Sequence, residues 1–326
     1  MRSSLAMAML GWLAALCAAA DAQDYPDKPV SLIVPYAAGG PADTLSRMVA
    51  ERLSQNLGRQ VVIENVTGAG GTLGATRGAA AAPDGYTMVL ASNGTHAAAP
   101  ALYPNLKYHP IDSHELVGLI STNPIAVVGR KDLPANTLGE LIAYARSKSP
   151  PITNATGGVG SVSQIACLDF KAIAKITTTE VPYRGTGPAI QDLVGGRVDF
   201  VCDQVANVMS YVAAGSLKAF AVASANRSVS LPGVPTTAEA GLPDYRLTVW
   251  FALMFPKGTP APIVARMNTA LEHVLDDPTF KRRIEEMGGE VPGKSQRGPD
   301  YLRKFIQSEI DLWGPLLKAA GVTGGD

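Results

Sequence analysis

The chain has 326 residues, 46% of them apolar, which is ample for a buried core and, by length, suggests two domains. Lys plus Arg equals Asp plus Glu at 28 each, so no electrostatic footprint for nucleic acid or for an anionic membrane exists, and an anion would have to be caught by local geometry.

The first element is an apolar run from Leu5 to Ala20 behind Arg2, closed by the small-residue pattern Ala20-Asp21-Ala22. It is shorter than a membrane span and polar sequence follows at once, so residues 1–22 read as a signal peptide cleaved before Gln23 and the mature protein as secreted and soluble. Cys17 follows Ala14-Ala15-Leu16, a poor match to a lipid-attachment site.

Short Val- and Ile-rich runs then alternate with helical patterns. Strands are predicted at Val30 to Val34, Val61 to Ile63 and Thr87 to Ala91, with helices at Ala42 to Leu57 and Leu73 to Ala82 between them, which is βαβ organisation. The rhythm resumes with strand Ile125 to Val128, helix Leu138 to Ser147, strand Ile152 to Ala155, helix Val162 to Ala174 and strand Glu180 to Tyr183. Helix Ala189 to Val194 and strands Val198 to Cys202 and Ala219 to Ala223 follow. The apolar strand Val249 to Phe255 precedes helices at Pro262 to Leu275, Phe280 to Met287 and Tyr301 to Ala319. The fold class is α/β, with lobe 1 expected from residues 23–124 and 250–326 and lobe 2 from residues 125–249. Open parallel sheets bind ligands at the carboxyl ends of their strands, so a cleft between lobes is the expected site.

Four strand-to-helix turns carry glycines and hydroxyls where helix N–H groups lack intrahelical partners, the geometry that binds anions. The first runs from Pro35 to Thr44, with Pro41 suited to the first helical position and Asp43 either balancing the helix dipole or touching ligand. The second is Ser92-Asn93-Gly94-Thr95-His96, whose hydroxyls and amide suit a carboxylate, and which is equally readable as a simple loop. The third, Gly157 to Gln164, places Ser161 and Gln164 at capping-box spacing but leaves its glycines unexplained. The fourth, Pro182 to Pro188, carries Arg184, whose guanidinium can grip a carboxylate through two parallel hydrogen bonds or lie on the surface. Asp203 follows the strand Val198 to Cys202, at a cleft-facing position in this architecture.

With Cys17 removed, Cys167 and Cys202 remain. An even count in an oxidising compartment favours a disulfide, worth of order 3 to 4 kcal/mol by loop-closure entropy, against two buried thiols. The histidines His96, His109, His114 and His273 show no ligand spacing, so no metal is expected, and no cofactor either. Gly68-Ala69-Gly70-Gly71-Thr72-Leu73-Gly74 misses GxGxxG by one residue, there is no P-loop lysine, and neither GxSxG nor HExxH occurs, so the chain is not expected to be an enzyme.

Across the mature chain the sequence resembles the Bug family, the TctC-like substrate-binding components of tripartite tricarboxylate transporters. The resemblance runs through Tyr25-Pro26-Asp27-Lys28-Pro29-Val30, Ala38-Gly39-Gly40 with Asp43 and Arg47, Val62-Ile63-Glu64-Asn65, and Gly68-Ala69-Gly70-Gly71. It continues through Ala82 to Thr87, Asn93-Gly94-Thr95-His96, Gly158-Val159-Gly160-Ser161, Val181 to Gly185, Leu231 to Thr236, Pro243, Trp250-Phe251 and Pro256 to Asn268. It implies a periplasmic, two-lobed Venus flytrap that captures a small carboxylate, largely with backbone N–H groups and hydroxyls, and delivers it to membrane permease subunits. Docking on a sensor kinase is the alternative for the closed form, a periplasmic hydrolase a further one, and the protein is expected to be monomeric. Carried over, the ligand contacts would be Tyr36, Ala38, Gly39, Asp43, Ser92, Asn93 and Thr95 from the first lobe, and Gly158, Ser161, Tyr183, Arg184 and Asp203 from the second. Two departures bear on ligand identity: Tyr36 stands where members commonly have Phe, and Gln164 where many have His.

Overall fold

The computed structural model describes residues 25–158, 161–183, 185–319 and 321. The expected signal peptide, and Arg184 among the expected site residues, lie outside the described residues. The described residues group into two units, each assembled from separate stretches of chain. The first comprises residues 25–90, Lys107–Gly118 and Leu253–Val274, and the second Ala91–Leu106, Leu119–Ala252 and residues 275–321.

In the first unit, strand β1 (Val30–Val34) pairs in parallel with β2 (Val61–Asn65) and with β3 (Thr87–Ser92). Parallel neighbours need a crossover, and helix α1 (Pro41–Leu57) supplies the one from β1 to β2. Its residues Ala42, Leu45, Val49, Leu53 and Leu57 recur at the helical period and are all buried, each large apolar side chain contributing roughly 1.5–3 kcal/mol. Pro41 opens it, and Gly58, left-handed at φ 68°, closes it by donating its N–H to the Ser54 carbonyl. Helix α2 (Thr72–Ala79) lies so close to the strands that a Cβ on Gly78 would come within 2.6 Å of the Val89 Cβ.

The second unit contains most of β4 (His114–Arg130), which pairs antiparallel with β7 (Phe200–Gln204) and β8 (Leu217–Val222). Strand β5 (Thr153–Thr156) pairs in parallel with both β6 (Thr179–Pro182) and β7. In chain order the helices are α3 (Ala99–Leu102), α4 (Leu138–Ser147), α5 (Val162–Ala174), α6 (Thr186–Val194) and α7 (Val205–Ala213). After β9 (Thr248–Pro256) come α8 (Ala261–Asp276), almost all of which belongs to the first unit, and then α9 (Pro278–Glu286) and α10 (Pro299–Ala319) of the second. Local caps explain several starts: Thr137 accepts from the Glu140 N–H to begin α4, and Asp277 accepts from both Thr279 and Phe280 N–H to begin α9, with Pro278 at its first position.

Helix α10 packs on the π-turn Gly94–Ala98 and on α3. Its Glu309 is buried and its Oε2 accepts the indole N–H groups of Trp250 at 2.8 Å and Trp313 at 3.2 Å. Burial nevertheless wins over these two bonds and lifts the carboxyl to about 7.

The expected disulfide is corrected by the structure, in which Cys167 on α5 and Cys202 on β7 are free thiols. They are in contact, the Cys202 N–H donating to the Cys167 Sγ at 3.2 Å, and both are fully buried. Burial and the neighbouring thiol raise the Cys202 pKa well above its usual range, so Cys202 behaves as a small packing group rather than as a thiolate.

Because the native state binds the Glu309 proton more tightly than the unfolded chain, this group's stabilisation is complete below about pH 4.5 and is lost as pH rises through about 7. Thermal denaturation of Glu309→Gln against the wild type should therefore shift in favour of the variant by up to about 3 kcal/mol between pH 4.5 and pH 8. A difference that stays constant across that range would contradict a protonated Glu309.

Candidate functional site

The turn after β1 is held from beneath by one carboxylate. Gly39, at φ 81°, points its N–H at Asp43 Oδ2 at 2.8 Å, and Arg47 Nε reaches the same oxygen at 2.9 Å. The Asn65 amide at the end of β2 donates at 3.0 Å both to Asp43 Oδ1 and to the Tyr36 carbonyl. The Arg47 hydrogen bond, with help from the Gly39 N–H and Asn65, holds the buried Asp43 carboxyl down at about 2 against the cost of burial. Asp43 and the Gly39 N–H thus brace the turn, while Ala38 and Gly39 are exposed at its tip.

The turn after β3 is closed on itself. The Ser92 N–H donates to Thr95 Oγ1 at 3.2 Å, the Thr95 N–H returns to Ser92 Oγ at 3.4 Å, and Thr95 Oγ1 lies 2.8 Å from His96 Nδ1. Ser92, Asn93, Thr95 and His96 are all buried there.

In the second unit the parallel pairing of β5, β6 and β7 brings their carboxyl ends together. The Tyr183 N–H donates to the Thr156 carbonyl at 2.9 Å and the Gly185 N–H to the Gly157 carbonyl at 3.1 Å, tying the first two turns to each other. Gly158 has φ 100°, and a Cβ there would meet the Tyr183 carbonyl at 2.8 Å, so the close approach requires glycine. Ser161 caps α5 by accepting from the Gln164 N–H at 3.2 Å, and Ser163 Oγ accepts from the Gly157 N–H at 2.8 Å. The capping box is only half formed, because the Gln164 side chain donates instead to Glu180 at 2.8 Å.

Helix α6 opens at Thr186 on Gly185, with no side-chain cap among the described residues. It starts two residues earlier than Pro188 implied, because Gly185 at φ 101° makes the turn into it. The Tyr183 hydroxyl is committed to Asp192 Oδ2 at 2.8 Å.

Asp203 lies inside β7, whose span runs two residues later than expected, and is 1% exposed. Its Oδ1 accepts from the Gln204 N–H at 2.7 Å and from Asn207 Nδ2 at 3.2 Å. Burial pushes its carboxyl up to about 6, opposed by those two donors and by the Thr186 hydroxyl beside it.

Of the expected residues, Gly158, Ser161, Tyr183 and Asp203 therefore sit in one cluster of turns. Tyr36, Ala38, Gly39 and Asp43 share another turn, and Ser92, Asn93 and Thr95 a third. Sequence reasoning gave no role to Asn65, Ser163, Thr186 or Asn207. The four-residue spacing of Asp203 with Asn207 carried a usable signal for one of these. Among the described residues no group of His, Cys, Asp and Glu side chains is arranged to hold a metal ion.

The profile of the tripartite tricarboxylate transporter family receptor matches residues 45–322. The chain belongs to that receptor family, the Bug family of substrate-binding proteins. It is 32% identical over 309 residues to BugT of Bordetella pertussis, covering 94% of both chains. Among solved structures it is similar to MatC of Rhodopseudomonas palustris with bound malate, at 41% identity and TM-score 0.72, over 90% of this chain and all of that one. A second R. palustris protein, solved with adipate, is 32% identical with TM-score 0.74, over 92% of this receptor and all but 1% of its own chain. The receptor therefore has the α/β fold of the TctC-type periplasmic binding proteins, and its family consists of substrate-binding receptors.

If Asp43 braces the first turn, Asp43→Asn should cost about 1–3 kcal/mol at pH 7, the worth of charge-assisted hydrogen bonds. The carboxylate's contribution is present above about pH 4 and lost as pH falls toward 2, so the deficit in melting temperature should shrink over that interval. An undiminished deficit at pH 2 would show that charge is not what holds the turn.

Proposed function

We propose that this receptor captures a small dicarboxylate outside the cytoplasmic membrane and hands it to the permease subunits of a tripartite transporter, without chemical change. The observation that carries the reading is the cluster at the ends of β5, β6 and β7. It combines the start of α6, which has no side-chain cap among the described residues, a glycine turn against it and hydroxyls on Ser161, Ser163 and Thr186, a set of groups suited to carboxylate oxygens. Relatives bound to malate and to adipate support the ligand class. The matched family supports the partner.

In this reading residues 1–22 direct export and are removed before Gln23. Residues 23–124 and 250–326 form one lobe and residues 125–249 the other, with the ligand in the cleft between them. Tyr36, Ala38 and the Ser92–Thr95 turn would face the ligand from the first lobe, and Gly158, Ser161, Tyr183, Arg184 and Asp203 from the second. Asp43 and Gly39 act through the shape of their turn. Closure adds the second lobe's hydrogen bonds and so shifts the population toward the shut form that the permease reads.

The test is a thermal-shift screen of the protein starting at Gln23 against small carboxylates, followed by calorimetry and recovery of the compound. A carboxylate that raises the melting temperature and is recovered unchanged is the expected result, since binding to the native state alone stabilises by mass action. Arg184→Ala should weaken that ligand at least about tenfold, the value of one charge-assisted hydrogen bond. Turnover of the compound, or an empty protein that responds to no carboxylate, would contradict the proposal.

A further inference from the structure

We infer that Asp203 is the residue with which this receptor reads a hydrogen-bond donor on its ligand, so that it selects dicarboxylates bearing a hydroxyl or ammonium beside a carboxylate over the plain chain. The inference rests on the carboxylate-receptor reading above and concerns the same site.

The side chain is nearly fully buried at the carboxyl end of β7, and its two oxygens are unequal. Oδ1 accepts two hydrogen bonds, from the Gln204 N–H and Asn207 Nδ2. Oδ2 is buried without a hydrogen-bond partner among the described residues. Leaving a buried acceptor in this way is costly, so each such group in a native protein calls for an explanation.

Its surroundings place that oxygen with the turns already described. The Thr186 hydroxyl is a donor to the carboxyl, and the Thr186 Cγ2 would lie 3.1 Å from a Cβ on Gly157, whose own N–H is bound by Ser163. The other hydroxyls of this cluster, on Ser161 and Ser163, can donate to a ligand carboxylate. An acceptor set among donors asks for a donor in return. A methylene presented to Oδ2 would leave it desolvated and unbonded, whereas a hydroxyl or ammonium would satisfy it. Sites built to bond a ligand O–H or N–H reject the analogue lacking it far more strongly than apolar pockets reject a missing methylene. With a pKa of about 6, Asp203 is ionised at pH 7.5 and acts as an acceptor.

Calorimetry at pH 7.5 on the protein starting at Gln23 compares malate, aspartate and succinate, which share a four-carbon chain, with adipate as a longer control. Malate or aspartate should bind at least about tenfold tighter than succinate, and whichever wins tells hydroxyl from ammonium. In Asp203→Ala the gap should narrow to within about threefold, chiefly by weakening the donor-bearing ligand. If that variant does not fold, the wild-type comparison still decides, with Asp203→Leu as a second variant of similar volume. Succinate binding as tightly as both others, or adipate binding alone, overturns the reading of Asp203. Binding of none of the four acids overturns instead the dicarboxylate reading on which it rests.

Discussion

Parallel pairing of β5 with β6 and with β7 is the constraint on which the second unit's site depends. Parallel strands end at the same edge, so each must turn there into its next helix, and the N–H groups at that helix start have no partner within the helix. Hydrogen bonds from Tyr183 to Thr156 and from Gly185 to Gly157 lock two of these turns together. The glycine at 158 is then required by contact with the Tyr183 carbonyl, not by chain flexibility. The donors that suit an anion are thus by-products of sheet topology, placed by backbone geometry before any side chain is chosen.

Three buried carboxyls show how environment divides one chemistry into three roles. Asp43, bonded through both oxygens and touched by Arg47, stays charged to about pH 2 and serves as a brace. Glu309 receives two indole N–H groups but, among the described residues, no cation, and burial carries it to about 7, a packing group at the junction of α10 and Trp250. Asp203 lies between them at about 6, its Oδ1 holding two donors while its Oδ2 has no bonded partner in good geometry among the described residues. Only the last is placed beside the cluster of turns.

The βαβ rhythm was readable because apolar runs and helical periods alternate with glycine-rich turns. What could not be read follows from particular residues. Pro124 lies inside the 17-residue strand β4, and a proline normally argues against a strand interior, so only Ile125 to Val128 was expected there. Helix α7 was missed because it leaves β7 directly after Gln204 with no Gly or Pro between, so strand and helix read as one apolar stretch. The Cys167–Cys202 proximity was inferred from count and compartment, arguments that say nothing of whether the sulfurs are bonded. The inward turn of the Gly39 N–H and of the Ser92 and Thr95 hydroxyls depends on turn geometry that composition does not encode.

Amide hydrogen exchange with and without a bound dicarboxylate tests the central claim most directly, because it reads the backbone N–H groups themselves. Ligand should slow exchange at Gly157, Gly158 and Ser161 in one turn and at Tyr183 and Gly185 to Gly187 in the other, above any general slowing of the core. Protection confined to other segments, with these two turns exchanging at the ligand-free rate, would contradict it.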